Sequence, residues 1–492
     1  MPTTEKREHV LVREDAAAGT THRWRWLALV TLLIAEAMNL LDATIMTVAA
    51  PVIHHDFGGG DSDIQWFSAA YTLPFAVLLI PGGRLGDLAG RKRMFTAGVA
   101  AFALASAACA CAIGPGMLIA TRAVQGAAAA LIIPQTIGLI RTMFDGDELA
   151  KAMGSIGPVM GLAAICGPVL GAALTHADLF GASWRAAFLV NLPLSAVVLA
   201  TVPALRESRS SWPPRMDLNG AGLAMLGTGL IVYPLIQADT TPPAGTLIIL
   251  CAGVATLAVF GWHQRRRVRS GRSPLIEPTL LRGRTFPAAL ATSTLFFTVM
   301  NGLMVVIVLQ VQLGQGRDVL AAGLTLLPWS AAMAVASWIS GARLVPRYGV
   351  RVMFAGLAVL LAGLLAAIAA YHVTWTWSLI AALSLCGFGN GLFTTPFFTT
   401  ALSRVRSHET GSAAGLLNAV QQFGGTLGVA VLGTAFLSTF ATGRNADVAP
   451  ALAALDAVQV TLWIAAGLIA ATTVTAAFMT APAVAPSGTA DA

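Results

Sequence analysis

Charge is scarce in this chain of 492 residues. Asp, Glu, Lys and Arg together make up 11% of it, against 56% for apolar residues. Soluble domains carry about 25% charged residues, and a soluble protein of this length could not cover its surface with so few. That scarcity excludes a soluble multidomain enzyme, a disordered chain and a coiled coil. A mean hydropathy of +0.74 points the same way. Cysteine is also rare. Cys109, Cys111, Cys166, Cys251 and Cys386 all lie inside apolar runs, without the spacing of a disulfide framework or of a metal site. No Gly-Lys-Ser/Thr phosphate loop occurs, so direct ATP drive is not expected. His54-His55-Asp56 lies in a predicted outer loop and does not have the pattern of a metal centre. No catalytic constellation and no cofactor or metal are expected.

What is present is a series of long apolar runs, each about 20 residues, the length an α-helix needs to span a bilayer. Fourteen segments stand out, at roughly 26–49, 65–83, 94–114, 116–140, 153–176, 184–204, 218–237, 245–263, 286–309, 320–341, 351–371, 376–400, 411–437 and 457–479. An all-α integral membrane protein is the fold class this predicts. With the N-terminus placed inside, 26 of the 30 basic residues fall in cytoplasmic segments, and only Arg185, Arg317 and Arg444 fall outside. Arg122 is left within a helix. The positive-inside rule requires such an asymmetry. It predicts a multi-pass protein of the cell inner (plasma) membrane with both termini cytoplasmic. Residues 1–25 read as a cytoplasmic tail rather than a signal peptide, and 480–492, rich in Ala, Pro, Ser and Gly, as a disordered one. Trp24, Trp26 and Trp262 are expected at the inner interface, and Trp66, Trp184, Trp375 and Trp377 near the outer one.

The chain repeats itself. Gly82-Gly-Arg-Leu-Gly-Asp-Leu-Ala-Gly-Arg-Lys92 follows the second span, and Gly341-Ala-Arg-Leu-Val-Pro-Arg-Tyr-Gly-Val-Arg351 follows the tenth, with Gly, Arg, Leu and Gly at a constant offset. Two like halves with two helices between them fit a transporter built from repeats. The expected organisation is an N-terminal six-helix bundle over 26–204, a linker with inserted helices over 205–285 and a C-terminal six-helix bundle over 286–479. In the first copy, Gly83, Asp87, Gly90, Arg91 and Lys92 form a candidate conformational latch. Glycines allow close approach of helix ends, Asp87 can cap a helix or pair with an Arg, and the basic residues hold the loop at an anionic leaflet. The second copy has Pro346 where the first has Asp87, so the halves are expected to be unequal.

That latch stretch resembles the loop 2–3 motif of the major facilitator superfamily. Three further stretches narrow the resemblance. Leu41-Asp42-Ala-Thr44-Ile-Met-Thr-Val-Ala49-Ala-Pro51 is similar to the helix 1 signature of fourteen-helix drug:proton antiporters of the QacA/EmrB type. Arg122-Ala-Val-Gln125-Gly126 is similar to the family's proton-linked motif. Gly161 with Gly167-Pro168-Val-Leu-Gly171 is similar to the helix 5 motif shared by antiporters, although Ala172 stands where a second glycine is usual. Trp184-Arg185…Phe188…Asn191-Leu-Pro193 and Asn418…Gln421…Gly428 also look like that branch. The resemblance implies two six-helix bundles plus two inserted helices, with a cavity between the bundles.

An ionisable group inside a span costs at least about 2.5 kcal/mol, so each marks a functional position. Glu36, Asp42 and Arg122 are the clear cases, and they are the expected proton-coupling residues. Asp42 and Arg122 are expected at similar depth, near the outer ends of their helices, where they can pair. Glu36 is expected near the midplane, about 9 Å deeper. Glu36, Asn39, Gln125, Asn301, Asn390, Asn418 and Gln421 are candidate cavity-lining groups. Together with the resemblance, these point to a proton-coupled exporter of drug-like or secondary-metabolite molecules. The expected partners are a small-molecule substrate, protons and membrane lipid, with no nucleic acid and no sign of an oligomer. The alternatives are a proton-coupled uptake symporter for a small nutrient and a non-transporting membrane sensor. The arginine run at Arg265–Arg272 reads as a topology and head-group anchor rather than a nucleic-acid site.

Overall fold

The apolar runs form fourteen helices long and apolar enough to cross a membrane, with no strand among the described residues, in a computed structural model describing residues 23–60, 62–178, 181–209, 216–237, 241–372, 376–406 and 410–480. The expected terminal tails lie largely outside this range, and Trp375 lies outside it altogether. We number the spans α1 (Arg25–Phe57), α2 (Asp63–Ala89), α3 (Arg91–Ala110), α4 (Pro115–Met143), α5 (Gly146–His176), α6 (Ser183–Ala204) and α7 (Leu218–Ile236). The rest are α8 (Pro243–Arg269), α9 (Thr285–Gly314), α10 (Val319–Tyr348), α11 (Arg351–Ala370), α12 (Trp377–Leu402), α13 (Ser412–Asn445) and α14 (Pro450–Thr480). The face on which α1 begins, where most arginines gather, is called the basic face below.

Each expected span is a helix, and the differences are at the ends. α1 continues to Phe57 instead of stopping near residue 49, because its last turns gain tertiary partners. Phe57 meets Trp184 edge to face, with ring centroids 5.2 Å apart, and Asp56 accepts a hydrogen bond from Trp184 Nε1 at 2.8 Å. The helix stops at Gly58, whose φ of 63° suits glycine and whose amide donates to the His54 carbonyl. Asp42 therefore sits in the middle of α1, not near its end. Trp184 is fully buried rather than interfacial, since its ring nitrogen finds Asp56 and its ring packs against Phe57 and Phe188.

α1–α6 and α9–α14 make two six-helix bundles. At the basic face the first bundle has a core of its own, including Leu32, Phe75, Phe95, Phe102 and Ile132. Toward the opposite face one continuous core crosses between bundles, joining Met46, Ile53, Phe67 and Trp184 to Leu303, Val306, Trp329 and Phe436. Polar contacts reinforce this seam: Gln65 Nε2 donates to Thr434 Oγ1 at 3.1 Å, the Thr72 and Thr426 hydroxyls lie 2.6 Å apart, and Gln312 Nε2 donates to the Val48 carbonyl at 3.0 Å. His176, at the end of α5, lies 3.1 Å from Asp318, which caps α10. The two halves are sealed against each other on the side opposite the basic face.

α7 and α8 form a hairpin beside the seam. α7 packs on α2 and α13 through Val232 and Ile236 against Ala69, Leu73 and Ala430. α8 packs mainly on α7, and only 6% of its apolar stretch is buried. A buried polar node closes the hairpin at the basic face. Asp217 caps α7 by accepting from the Gly220 amide, and it also meets His263 Nε2 at 3.0 Å, Gln264 Nε2 at 2.9 Å and Arg267 Nη1 at 3.3 Å on α8. Gln264 Oε1 accepts from the Leu275 amide, while Arg84 of α2 donates to the carbonyls of Pro274 and Leu275. The hairpin is thus fastened to the end of α2 through the segment that follows it.

Burial alone would push the Asp217 carboxyl up. The His263, Gln264 and Gly220 hydrogen bonds and the Arg267 charge outweigh burial and hold it below the ordinary carboxylate range. A carboxyl depressed in the folded state stabilises above its unfolded value near 3.8, and that stabilisation is lost as pH falls through the lower folded value. Asp217→Ala leaves Arg267 without its partner and should cost about 3 kcal/mol at neutral pH. Thermal unfolding in detergent should show the deficit at pH 7 and a shrinking gap to the wild type as pH falls below 3.8.

Candidate functional site

α1, α3, α4 and α6 bring a set of polar side chains together inside the first bundle. Two opposite charges lie at its centre. Arg122 Nη1 meets Asp42 Oδ2 at 2.5 Å, and the side chains are 1% and 2% exposed. Neither would be tolerated alone at this depth. Asp42 Oδ1 accepts from Gln125 Nε2 at 2.9 Å and from Asn191 Nδ2 at 2.8 Å, so three donors converge on one carboxylate that acts only as acceptor. Arg122 is held in turn by the Phe67 carbonyl at 3.1 Å and Gln125 Oε1 at 2.7 Å, and its guanidinium lies 4.4 Å from the Tyr71 ring centroid. Ser106 accepts from both Gln125 and Asn191. Helical periodicity explains the convergence: Arg122 and Gln125 are one turn apart on α4.

The expected Asp42–Arg122 pair is thus present. Gln125, expected to line a cavity, is instead fully buried in this network, because all of its polar atoms are used by Asp42, Arg122 and Ser106. Glu36 lies six residues before Asp42 on α1, about 9 Å toward the basic face. It is 8% exposed and forms no ion pair among the described residues. Asn39, between them, donates to the Tyr71 hydroxyl at 2.6 Å, and the ring of Tyr71 faces Arg122. A continuous chain of contacts therefore runs from Asn39, one turn from Glu36, through Tyr71 to the Arg122–Asp42 pair.

Of the remaining polar candidates, Asn418 and Gln421 are half-buried on α13 and make no side-chain hydrogen bond among the described residues. Asn301 on α9 is exposed and donates only to the Phe297 carbonyl of its own helix. Asn390 is engaged by Thr394 and Met333. Beside Asn301, Phe297 and Phe398 flank a stack formed by Phe296, Phe393 and Phe397, with 3.9 Å between the first pair of centroids.

The helix 5 glycines are contact points. A Cβ on Gly167 would meet the Thr44 side chain of α1, one on Gly171 would meet Ile45, and the Pro168 carbonyl and Ala172 lie against Gly323 of α10. Ala172 fills space that Gly323 leaves, so the missing glycine of the motif is matched across the seam. Gly161 has no such neighbour. In the latch, Asp87 pairs with Arg91 at 2.9 Å, Lys92 Nζ donates to the Leu205 carbonyl, and the Gly90 backbone, at φ 109°, abuts the Glu207 carboxylate. Gly83 lies against Pro134 of α4. Among the described residues, the latch meets α4 and the segments after α6 and α8. The corresponding arginines of the second half, Arg343, Arg347 and Arg351, form no ion pair among the described residues; Arg347 lies over Tyr348 instead. The expected inequality of the halves is present.

Sequence reasoning missed Asn191, Ser106 and Tyr71 as members of the network. Asn191 lay within a recognised motif stretch, but neutral polar residues occur in every span and gave no signal of rank. Removing one charge of the buried pair should cost more than removing both. Arg122→Gln should lower stability by about 3–5 kcal/mol, and adding Asp42→Asn should recover part of the loss. Thermal unfolding of the single and double variants checks this, and equal loss in both would refute it.

The family model described as Major Facilitator Superfamily matches residues 32–429. The "Probable actinorhodin transporter" of Streptomyces coelicolor is 42% identical over 88% of this chain and 76% of its own length. The "Multidrug resistance protein Stp" of Mycobacterium tuberculosis is 34% identical over 84% of this chain and 76% of its own. The "Puromycin resistance protein pur8" of Streptomyces alboniger is 33% identical over 87% and 85%. Among solved structures, a bacterial homologue of the human lysosomal transporter Spinster superposes with a TM-score of 0.65 at 17% identity, covering 94% of this chain and 97% of that one. At that identity the likeness concerns the fold. Fourteen apolar helices in two bundles agree with the matched family, whose members are membrane transporters and not enzymes: the chain belongs to the major facilitator superfamily.

Proposed function

We propose that the protein is a proton-coupled efflux antiporter for drug-like or antibiotic molecules, working by alternating access. Transport of, or resistance to, such molecules is what the names of the relatives state, and efflux accounts for both. The observation that carries the coupling is the buried Asp42–Arg122 pair with its two amide donors. Supporting the antiport direction is the helix 5 motif, whose glycines bring α5 against α1 and whose Pro168 and Ala172 meet α10 at the closed seam.

The proton acts as follows. In the closed-seam state the three donors hold Asp42 as an ionised acceptor. A proton on Asp42 removes the Arg122 charge partner and turns one acceptor into a donor facing other donors. Breaking a buried pair costs about 3–5 kcal/mol. A membrane potential supplies about 2.3 kcal/mol per charge per 100 mV, so protonation and a change of helix packing at α1 are of similar size and can be exchanged for each other. Asn39 and Tyr71, one turn from Glu36, form the contact chain through which substrate and proton states are read on α1. The half-buried Asn418 and Gln421, with Asn301 and the Phe297–Phe398 edge, supply the second half's share of the binding surface.

The basic face is cytoplasmic in this reading, with both termini there, in the cell's inner membrane. The units are the N-terminal bundle over 26–204, the linker and hairpin over 205–285 and the C-terminal bundle over 286–479, and a single chain suffices. The latch at Asp87 and Arg91 opens and closes on the cytoplasmic side.

Flux in proteoliposomes under an imposed pH gradient tests the proposal. Wild type should move dyes and antibiotics against the proton flow, and Asp42→Asn should lose gradient-driven transport. Because the buried acids within the described spans, Glu36 and Asp42, both lie on α1, neutral and monovalent substrates should be carried better than divalent cations. Full gradient-driven transport by Asp42→Asn would overturn the coupling, and strong saturable transport of a bis-cation would overturn the selectivity.

A further inference from the structure

At the basic end of α8 the chain turns back, and the short 3-10 helix Pro278–Leu281 lies against the last turns of α8. Between them is a cleft of about 330 Å³, lined by Arg265, Val268, Arg269, Pro278, Leu281 and Arg282. Three guanidinium groups surround it. None of the three forms an ion pair or a side-chain hydrogen bond among the described residues. The buried acid nearby is committed elsewhere: Asp217 is held by His263, Gln264 and Arg267. Three like charges around one concavity repel each other unless an anion sits among them.

The cleft's other walls show which anion. Val268 and Leu281 are 44% and 50% exposed, although both are apolar. Above them α8 presents Val259, Val254, Ile248 and Leu247 outward along its length, with 6% of its apolar stretch buried. Trp262, one turn from the cleft, is exposed with Arg266 over its ring at 5.4 Å, as aromatic residues stand at a membrane interface. A ligand here meets positive charge at one end and an apolar helix surface running away from it.

We propose that this cleft is a headgroup site for an anionic phospholipid, whose phosphate lies among Arg265, Arg269 and Arg282 and whose acyl chains lie along α8. Basic pockets at the ends of membrane helices bind such headgroups. The lipid bridges α8 to the segment 278–282. That segment continues from residues 274–276, which Gln264 and Arg84 hold, so the bound lipid fastens the inserted hairpin against α2. The site depends on the chain spanning a membrane and is independent of what is transported.

Native mass spectrometry of the delipidated full chain tests it, with phosphatidylglycerol and phosphatidylcholine as probes. Wild type should retain phosphatidylglycerol in preference to phosphatidylcholine. Each of Arg269→Gln and Arg282→Gln should weaken retention about fivefold, and Arg265→Gln, Arg269→Gln and Arg282→Gln together should abolish the preference. The control Arg343→Gln, Arg347→Gln, Arg351→Gln removes equal charge from the basic face and should retain the lipid as wild type does. An excess of inorganic phosphate should fail to displace the lipid. Equal loss in the control would mean that diffuse charge binds the lipid, and unchanged retention in the single and triple variants would mean that the cleft does not. Displacement by phosphate would mark a soluble-anion site, and each of these three results overturns the proposal. If the triple variant fails to fold, the single variants decide.

Discussion

An ion pair removed from water must be satisfied on every side or not be there at all. Asp42 and Arg122 meet that demand, and much of the first bundle is arranged around it. α6 supplies Asn191, α3 supplies Ser106, α4 supplies Gln125, and α2 supplies the Phe67 carbonyl and the Tyr71 ring. Four of the six helices therefore touch one charge pair, and a fifth, α3, braces two of its partners. A change in the charge of Asp42 is felt by all three donors at once, because Arg122 loses its counter-charge and one acceptor site becomes a donor. In the proposed mechanism the pair is a switch for helix packing, and not only a cohesive contact.

The two bundles share a fold and differ in chemistry. The first holds the buried charges and the Asp87–Arg91 loop pair. The second replaces them with stacked phenylalanines and with asparagine and glutamine side chains. Where the bundles meet, away from the basic face, the seam is made of apolar side chains, hydroxyls, amides and small residues, with the half-exposed His176–Asp318 contact at its edge, so it can part without leaving a buried orphaned charge. α5 lies on this seam with Gly167 and Gly171 against α1, the helix that carries Asp42. The charge pair and the seam are thus joined through one helix. The inserted hairpin enters the same scheme at the opposite end, since Asp217, Gln264 and Arg84 fasten it to α2 beside the latch.

The fourteen spans were legible because lipid tolerates few charges and the runs are long. Their ends were less so: α1 reaches Phe57 only because Asp56 and Phe57 find Trp184, a partner more than a hundred residues away. Asp42 and Arg122 were legible by rarity. Asn191 and Tyr71 were not, because an uncharged polar residue costs little in a span and many, such as Thr31 and Thr44, merely bond to their own helix. Gln125 was assigned to a cavity for the same reason; its neighbour on the helix face, Arg122, decides its place. Asp217 read as part of a linker, since its partners on α8 are forty and more positions away in sequence.

The central claim is that substrate and proton compete through Asp42. Proton release on substrate binding measures that competition without a membrane or a gradient. Substrate added to the detergent-solubilised wild type in weakly buffered solution should release protons, and Asp42→Asn should bind substrate with no release. Equal release from the variant and the wild type would contradict the account.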